Sequence, residues 1–336
     1  MMQKAVQFMW KEIRKIVMKL ILLMLPFFVL LPLYCAFGRD FYMDEEYAMY
    51  HQQRTYLLEN DEKNSVLILG DSRAKADFVP GLLSEDTYNI ALGGASAVEG
   101  YYSMKEYLSV HEAPETVIIS YAPMHYMDMD TIWSRTIYFH NMSDQDLKEL
   151  FQTAENYQDT EKLFIDDYQK EFLMYKFYMP NKYASALRKS GFFFRYENTK
   201  EKNKQLLMDR GHSFYGEAAG SDSFNGEAKV ADFKPSDLVD GYLGRTIELC
   251  EKQGIRVIVE QTPMNEASHT IITQDFKDHY RSYLAELQER YPEAEISQNL
   301  YWYENRFFGD GDHLNEQGAA VYSEYIRSTY PEVFEK

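Results

Sequence analysis

Cysteine is nearly absent from this chain: its 336 residues include only Cys35 and Cys250. Cys35 lies inside an apolar N-terminal run, so the two are not expected to pair. The fold then does not depend on disulfides, and cysteine usage leaves the compartment open. The eight histidines show no HExxH pattern and there is no paired-cysteine spacing, so the common zinc signatures are excluded and no cofactor is expected. Positive charge is in deficit, with 35 Lys and Arg against 53 Asp and Glu, a net −18. Most of such a surface repels a polyanion, which argues against nucleic-acid binding. Internal repeats and biased tracts are also missing. Aromatic residues, by contrast, are plentiful, with 28 Tyr and 21 Phe, and the apolar fraction of 45% is that of a globular protein. Rings in such number suit a large core, and also sugar-facing clefts and membrane-proximal surfaces.

Leu20 to Phe37 is an uncharged apolar run, and extending it back to Ile16 adds only Lys19. That length crosses a bilayer as a helix, and Pro26 and Pro32 are tolerated within it. Lys4, Lys11, Arg14, Lys15 and Lys19 precede or enter the run against Glu12 alone, while Asp40, Asp44, Glu45 and Glu46 follow soon after Arg39. The positive-inside rule then predicts a cytoplasmic tail over 1–15, a single-pass signal-anchor over 16–37, and everything beyond it outside the cytoplasm. A cleaved signal peptide, or a lipoprotein signal ending at Cys35, is the rival reading. The former would have a shorter apolar core and a small-x-small site, and Tyr34 is bulky for the latter.

Residues 38–64 read as a juxtamembrane linker and a first helix. Ser65–Gly70, Tyr88–Leu92, Thr116–Ser120 and Arg256–Glu260 are short continuous apolar runs, the pattern of strands buried on both faces. Helical periodicity follows the second run at Val98, Tyr101, Tyr102 and Leu108. It returns from Ser236 through Leu243, Ile247 and Cys250, again through Phe276, Tyr280, Leu284, Leu287 and Tyr291, and over Glu316–Arg327. Gly254 stands where a helix C-cap belongs. This alternation predicts an α/β domain over 65–336 with a central parallel sheet and an active site at the strands' carboxyl ends. Residues 125–235 interrupt the alternation. They begin one helix with the Ser143-x-x-Asp146 capping pattern, end in a polar, glycine-containing stretch near 211–228, and read as an aromatic, helical insertion that shapes or covers the site.

The first predicted strand ends in Gly70-Asp71-Ser72-Arg73. A serine there, at the start of a helix, projects its hydroxyl at the sheet edge and points its own backbone N–H toward a developing oxyanion. Asp and Ser are also common helix caps and turn residues, which is the better account of the tripeptide taken alone. Near the C-terminus, Asp310 and His313 stand three apart in Gly309-Asp-Gly-Asp-His-Leu-Asn-Glu-Gln-Gly318. At that spacing a carboxylate can hold one imidazole nitrogen and leave the other free as a base, although a solvated loop gives the same residues. Asp312 also lies close to His313, but adjacency makes the geometry harder, so Asp310 is the preferred partner.

Gly70-Asp71-Ser72, then Asn89 with Gly94 after the second strand, then Asp310-x-x-His313 resemble the first, second and fifth sequence blocks of the SGNH/GDSL hydrolase superfamily. Order and strand context agree over roughly residues 65–330, the insertion apart. The resemblance implies a three-layer flavodoxin-like fold, with Ser72 as nucleophile, His313 as base and Asp310 as orienting acid. The Ser72 and Gly94 N–H groups would form the oxyanion hole. The superfamily's Gly-x-Asn-Asp block, whose Asn supplies another donor, is replaced by Ser120-Tyr-Ala-Pro-Met-His125. Losing one such donor costs about 10²–10³ in rate, and Ser120 or His125 could substitute. With its single N-terminal anchor and His-Leu-Asn-x-x-Gly ending, the chain is similar to the extracytoplasmic D-alanyl transfer proteins of teichoic-acid modification. It is also similar to the AlgJ/AlgX-like polysaccharide O-acetyltransferases. That likeness implies transfer of an acetyl or D-alanyl group through Ser72 to a cell-envelope polysaccharide, teichoic-acid-like or polyol acceptor, with a membrane-bound O-acyltransferase as partner. An esterase using the same residues, and a non-catalytic SGNH-like scaffold, are the alternatives.

Overall fold

The computed structural model describes residues 2–59, 63–179 and 182–335; side chains are described from Val6 onward, so that of Lys4 falls outside. Residues 60–62 of the expected linker and first helix also lie outside the described residues. The chain divides into two compact units, Met1–Asp44 with Asp167–Lys200, and Glu45–Asp166 with Glu201–Lys336.

In the first unit, helix α1 runs unbroken over Met2–Phe37. It starts well before the expected residue 16 because the preceding Lys, Arg and Glu are themselves good helix formers. The most apolar 18-residue stretch of Val6–Phe37 has a mean hydropathy of 2.6, and none of that stretch is covered by protein. At 1.5 Å per residue this is long and apolar enough to cross a membrane, which takes roughly 20 residues. Gly38 ends the helix, its N–H bonding to the Tyr34 carbonyl. The short helix Arg39–Tyr42 follows, and the segment from Asp167 adds the helices Tyr168–Lys176 and Lys182–Ser190.

The second unit opens with α2, Glu45–Glu59, and is built on five parallel strands: β1 Val66–Gly70, β2 Thr87–Asn89, β3 Thr116–Ser120, β4 Arg256–Val259 and β5 Glu295–Ile296. Their order is β2-β1-β3-β4-β5, and all pairings are parallel. β2 is shorter than the run Tyr88–Leu92. Asn89 turns its side-chain oxygen to the Ala91 N–H, which bends the chain, although Ile90 and Leu92 still donate to β1. β5, and the parallel pair Met264–Asn265 with Trp302–Tyr303, span two residues each. Runs that short leave no alternation to read.

The sheet is covered by helices, as a parallel sheet must be. Val66, Ile68, Ile118 and Ile258 join one buried cluster with Phe308, Leu314, Tyr322 and Ile326. These last come from the C-terminal loop and α7, Glu316–Thr329. α4, Ala97–Val110, packs against β1, α2 and α5, Asp237–Lys252; α6, Gln274–Arg290, packs against β5. Gly254 has φ 72°, the left-handed turn that a glycine allows after α5. The interruption over 125–235 does not behave as one insert. Asp167–Lys200 groups with the N-terminal unit, and its flanks stay with the sheet. The order of the strands reverses between β1 and β3. That switch point, at the carboxyl ends, is where an open α/β sheet leaves a crevice.

Candidate active site

Gly70 closes β1 where β1 and β3 run so near each other that a Cβ would sit 1.9 Å from the Ser120 carbonyl oxygen. The chain then turns into α3, Ser72–Asp77. Asp71 caps this helix, its Oδ1 accepting from the N–H groups of Arg73 at 2.8 Å and Ala74 at 3.3 Å. Ser72 is therefore the first helical residue, half-buried, with an N–H that has no carbonyl four residues back to bond. Asn89 braces the far end of α3 by donating to the Ala74 and Phe78 carbonyls.

A cleft of about 320 Å³ opens at this edge, lined by Ser72, Gly94, His125, Arg135, Glu227 and His313 among others. Gly94 has φ 74°, and its carbonyl accepts from Thr131 Oγ1 at 2.6 Å. A side chain there would meet both the Arg135 guanidinium and Thr131. Arg135 belongs to a wide π-helical turn, Ile132–Ile137, and pairs with Glu46 at 3.4 Å. Such turns recur at functional sites.

His313 comes from the C-terminal loop. Its Nδ1 lies 2.9 Å from Asp310 Oδ2, and its N–H and that of Asp312 both donate to Asp310 Oδ1 at 2.8 Å. Burial pushes the Asp310 carboxyl up, but the His313 ring and these two amides outweigh it and bring it to about 2. Asp310 is thus a fixed anion, and Nδ1 of His313 is a donor. The other nitrogen, Nε2, is buried and has no hydrogen-bond partner among the described residues. Tyr215 stacks on the ring at 4.7 Å and 23°. Leu314 N–H donates to Asp77 Oδ1 at 3.1 Å, which fastens this loop to the end of α3. Burial raises the Asp77 carboxyl well above its ordinary value.

Asp312 turns away from His313. It pairs with Arg73 at 2.9 Å, and Arg73 also meets Glu227 at 2.7 Å, both of the latter side chains being buried. Arg73 so ties the serine helix to the histidine loop and to the polar stretch from 211 onward. Gly216 in that stretch lies against the Gly309 backbone too closely for any side chain.

Of the two polar residues offered at the end of β3 and after it, Ser120 is buried away from the cleft with its hydroxyl unpartnered among the described residues. His125 lines the cleft. Its Nδ1 sits 2.6 Å from Asp71 Oδ2, which also accepts from Ala122 N–H at 2.6 Å. Burial lowers the His125 imidazole, but the charge and hydrogen bond of Asp71 outweigh that, so it is raised. The cleft therefore carries two imidazoles, each with Nδ1 held by a carboxylate.

Ser72, Gly94 and His313 thus meet in one cleft, with Asp310 on His313. Sequence reading missed Arg73, Arg135, Tyr215 and Glu227. Only Arg73, beside Ser72, carried a local signal. Among the described residues no group of histidine, cysteine and carboxylate side chains converges as a metal site. Neither the protein-family models nor the curated proteins gave a match to the chain.

Proposed function

We propose that this protein is an SGNH-type serine acyltransferase anchored by α1, with Ser72 as nucleophile, His313 as base and Asp310 as orienting acid. One observation carries the reading. Asp310 holds His313 Nδ1, and the buried Nε2 is left without a partner among the described residues, on a side chain lining the same cleft as Ser72. A base prepared in this way needs a proton to take, and the Ser72 hydroxyl supplies one.

Ser72 Oγ attacks the acyl carbonyl as its proton passes to His313 Nε2. The ester C–O bond breaks, the leaving oxygen receives that proton, and an acyl-Ser72 ester remains. An acceptor hydroxyl then attacks this ester and gives its proton to Nε2; the acyl–Oγ bond breaks, and Nε2 passes the proton to the departing Ser72 Oγ. The N–H groups of Ser72 and Gly94 bind the oxyanion. His125, protonated and aimed by Asp71, supplies the third donor in place of the absent Asn.

The acyl group is acetyl or D-alanyl, and the acceptor is a polyol or cell-envelope glycan, teichoic-acid-like polymers included. The apolar helix and the basic residues before it support a single-pass protein with this domain outside the cytoplasm, where a membrane-bound O-acyltransferase supplies the acyl group. Tyr215 over His313 supports water exclusion, which separates transfer from hydrolysis.

The test is labelling of the purified chain with a fluorophosphonate, then turnover of a chromogenic acetyl ester with and without a glycan acceptor. Wild type should label and Ser72→Ala should not, and acceptor should accelerate ester consumption. Fast hydrolysis indifferent to acceptor would make the protein an esterase. A wild type that never labels would leave a non-catalytic scaffold.

A further inference from the structure

The segment Asp167–Lys200 is unlike the rest of the chain. Seven basic residues face three acidic ones in its 34 positions, a net +4 within a protein of net −18. Ten of the 34 are aromatic, against 15% overall.

Its turn Gly191-Phe192-Phe193-Phe194-Arg195 leaves Phe193 67% and Phe194 84% exposed. Three consecutive rings in water are costly, and a patch of this kind marks a surface that something covers. The place of the turn says what covers it. Tyr34, in the last turn of α1, donates through its hydroxyl to the Phe192 carbonyl and packs against the Phe192 and Phe193 rings at 5.4 and 6.2 Å. Phe41, just past the helix, packs on Phe193 and stacks on Tyr196 at 4.8 Å, and its carbonyl accepts from Arg195 N–H at 3.1 Å. Phe37 at the helix end is itself 86% exposed.

We infer that Asp167–Lys200 is a second membrane contact, with Phe192–Phe194 inserted at the interface of the bilayer that α1 crosses and its basic residues on anionic lipid headgroups. Aromatic rings favour that level of the membrane. Lysines and arginines near an anionic surface add to the attraction and make it sensitive to salt. A helix alone leaves its soluble part free to tilt and swivel; a wedge beside its exit fixes the N-terminal unit against the membrane plane. The inference rests on α1 spanning the bilayer and is independent of the chemistry at Ser72.

The test uses the full chain in proteoliposomes, with an environment-sensitive fluorophore on Phe194→Cys or, as a second site, Phe193→Cys. Cys35 and Cys250 are buried, so the new thiol is the one that reacts. Lipids carrying nitroxides at headgroup level or at the bilayer centre report depth, and a label at Leu30→Cys reports α1. Both turn labels should be quenched by the shallow nitroxide and the Leu30 label by the deep one. Turn quenching should be greater in bilayers containing phosphatidylglycerol than in phosphatidylcholine alone, and should weaken with salt. Unquenched turn labels beside a quenched Leu30 would overturn the inference and leave a protein partner as the cover. Equal quenching in both bilayers would overturn the anionic-lipid part. An unquenched Leu30 would remove its premise.

Discussion

His125 Nδ1 and Asp71 Oδ2 are 2.6 Å apart, across the point where the strand order reverses. Asp71 directly precedes Ser72, so one carboxylate caps the serine's helix and orients an imidazole from the next loop. If His125 is the third oxyanion donor, His125→Ala lowers kcat by about 10²–10³ with little change in KM, and His125→Gln recovers part of the loss. The sign of the pH effect follows from the raised imidazole. Donation by Nε2 needs the protonated ring, so activity falls as pH rises through the His125 pKa, above its ordinary 6.5. That alkaline limb is absent in His125→Gln. A kcat/KM profile with an unchanged limb would refute the role.

Asp310→Asn should drop kcat by about 10⁴, because the amide no longer selects the His313 tautomer with Nε2 free. The same variant tests linkage. The Asp310 carboxyl lies at about 2 in the fold against an ordinary 3.8. Its contribution to stability is complete above 3.8 and is lost as pH falls to about 2. Acid unfolding of Asp310→Asn, followed by circular dichroism, should be shallower than wild type in that window.

Removing Arg73 strands a buried anion. Arg73→Met should destabilise the chain by about 3–5 kcal/mol, since Glu227 is left uncompensated. Arg73→Met with Glu227→Leu should regain most of this. Denaturant midpoints of the detergent-solubilised chain read both. Fluorophosphonate labelling of the stable double variant should still be slowed, because Arg73 also ties the loop of His313 to α3 through Asp312.

Lys75 is wholly buried, and its ammonium donates to the Ala91 carbonyl at 2.8 Å. Burial, with Lys202 adding to it against Glu46, brings it down to about 7 from 10.5. The unfolded chain holds this proton up to 10.5, so stability rises with pH between about 7 and 10.5 and is level on this account outside that window. Lys75→Met should flatten the rise in denaturant midpoint across that range. An unaltered slope would contradict the assignment.

Much of this was legible in the sequence because its signals are local. Buried strands such as Thr116–Ser120 read as apolar runs, and the helix starts at Ser143 and Ser236 carry their own caps. Asp310 and His313 are three residues apart, so their pairing needed no tertiary knowledge. The joins over long distance were not legible. Arg73 and Glu227 are 154 residues apart, and no periodicity announces that contact. Nor did aromatic count alone distinguish Tyr215, stacked on His313, from rings buried in the core. Two-residue strands left no pattern at all, and the departure of Asp167–Lys200 from the sheet unit depends on contacts that composition only hints at.

The path of the chain also sets a timetable. Ser72 leaves the ribosome well before strands β4 and β5 and the loop bearing His313. A nascent chain therefore displays Ser72 before His313 exists to meet it, and an edge of β3 awaiting its neighbour. If Ser72 and His313 act together as proposed, an acyl donor met before the His313 loop has folded finds no base to activate the serine, and reactivity waits on the joining of two distant segments.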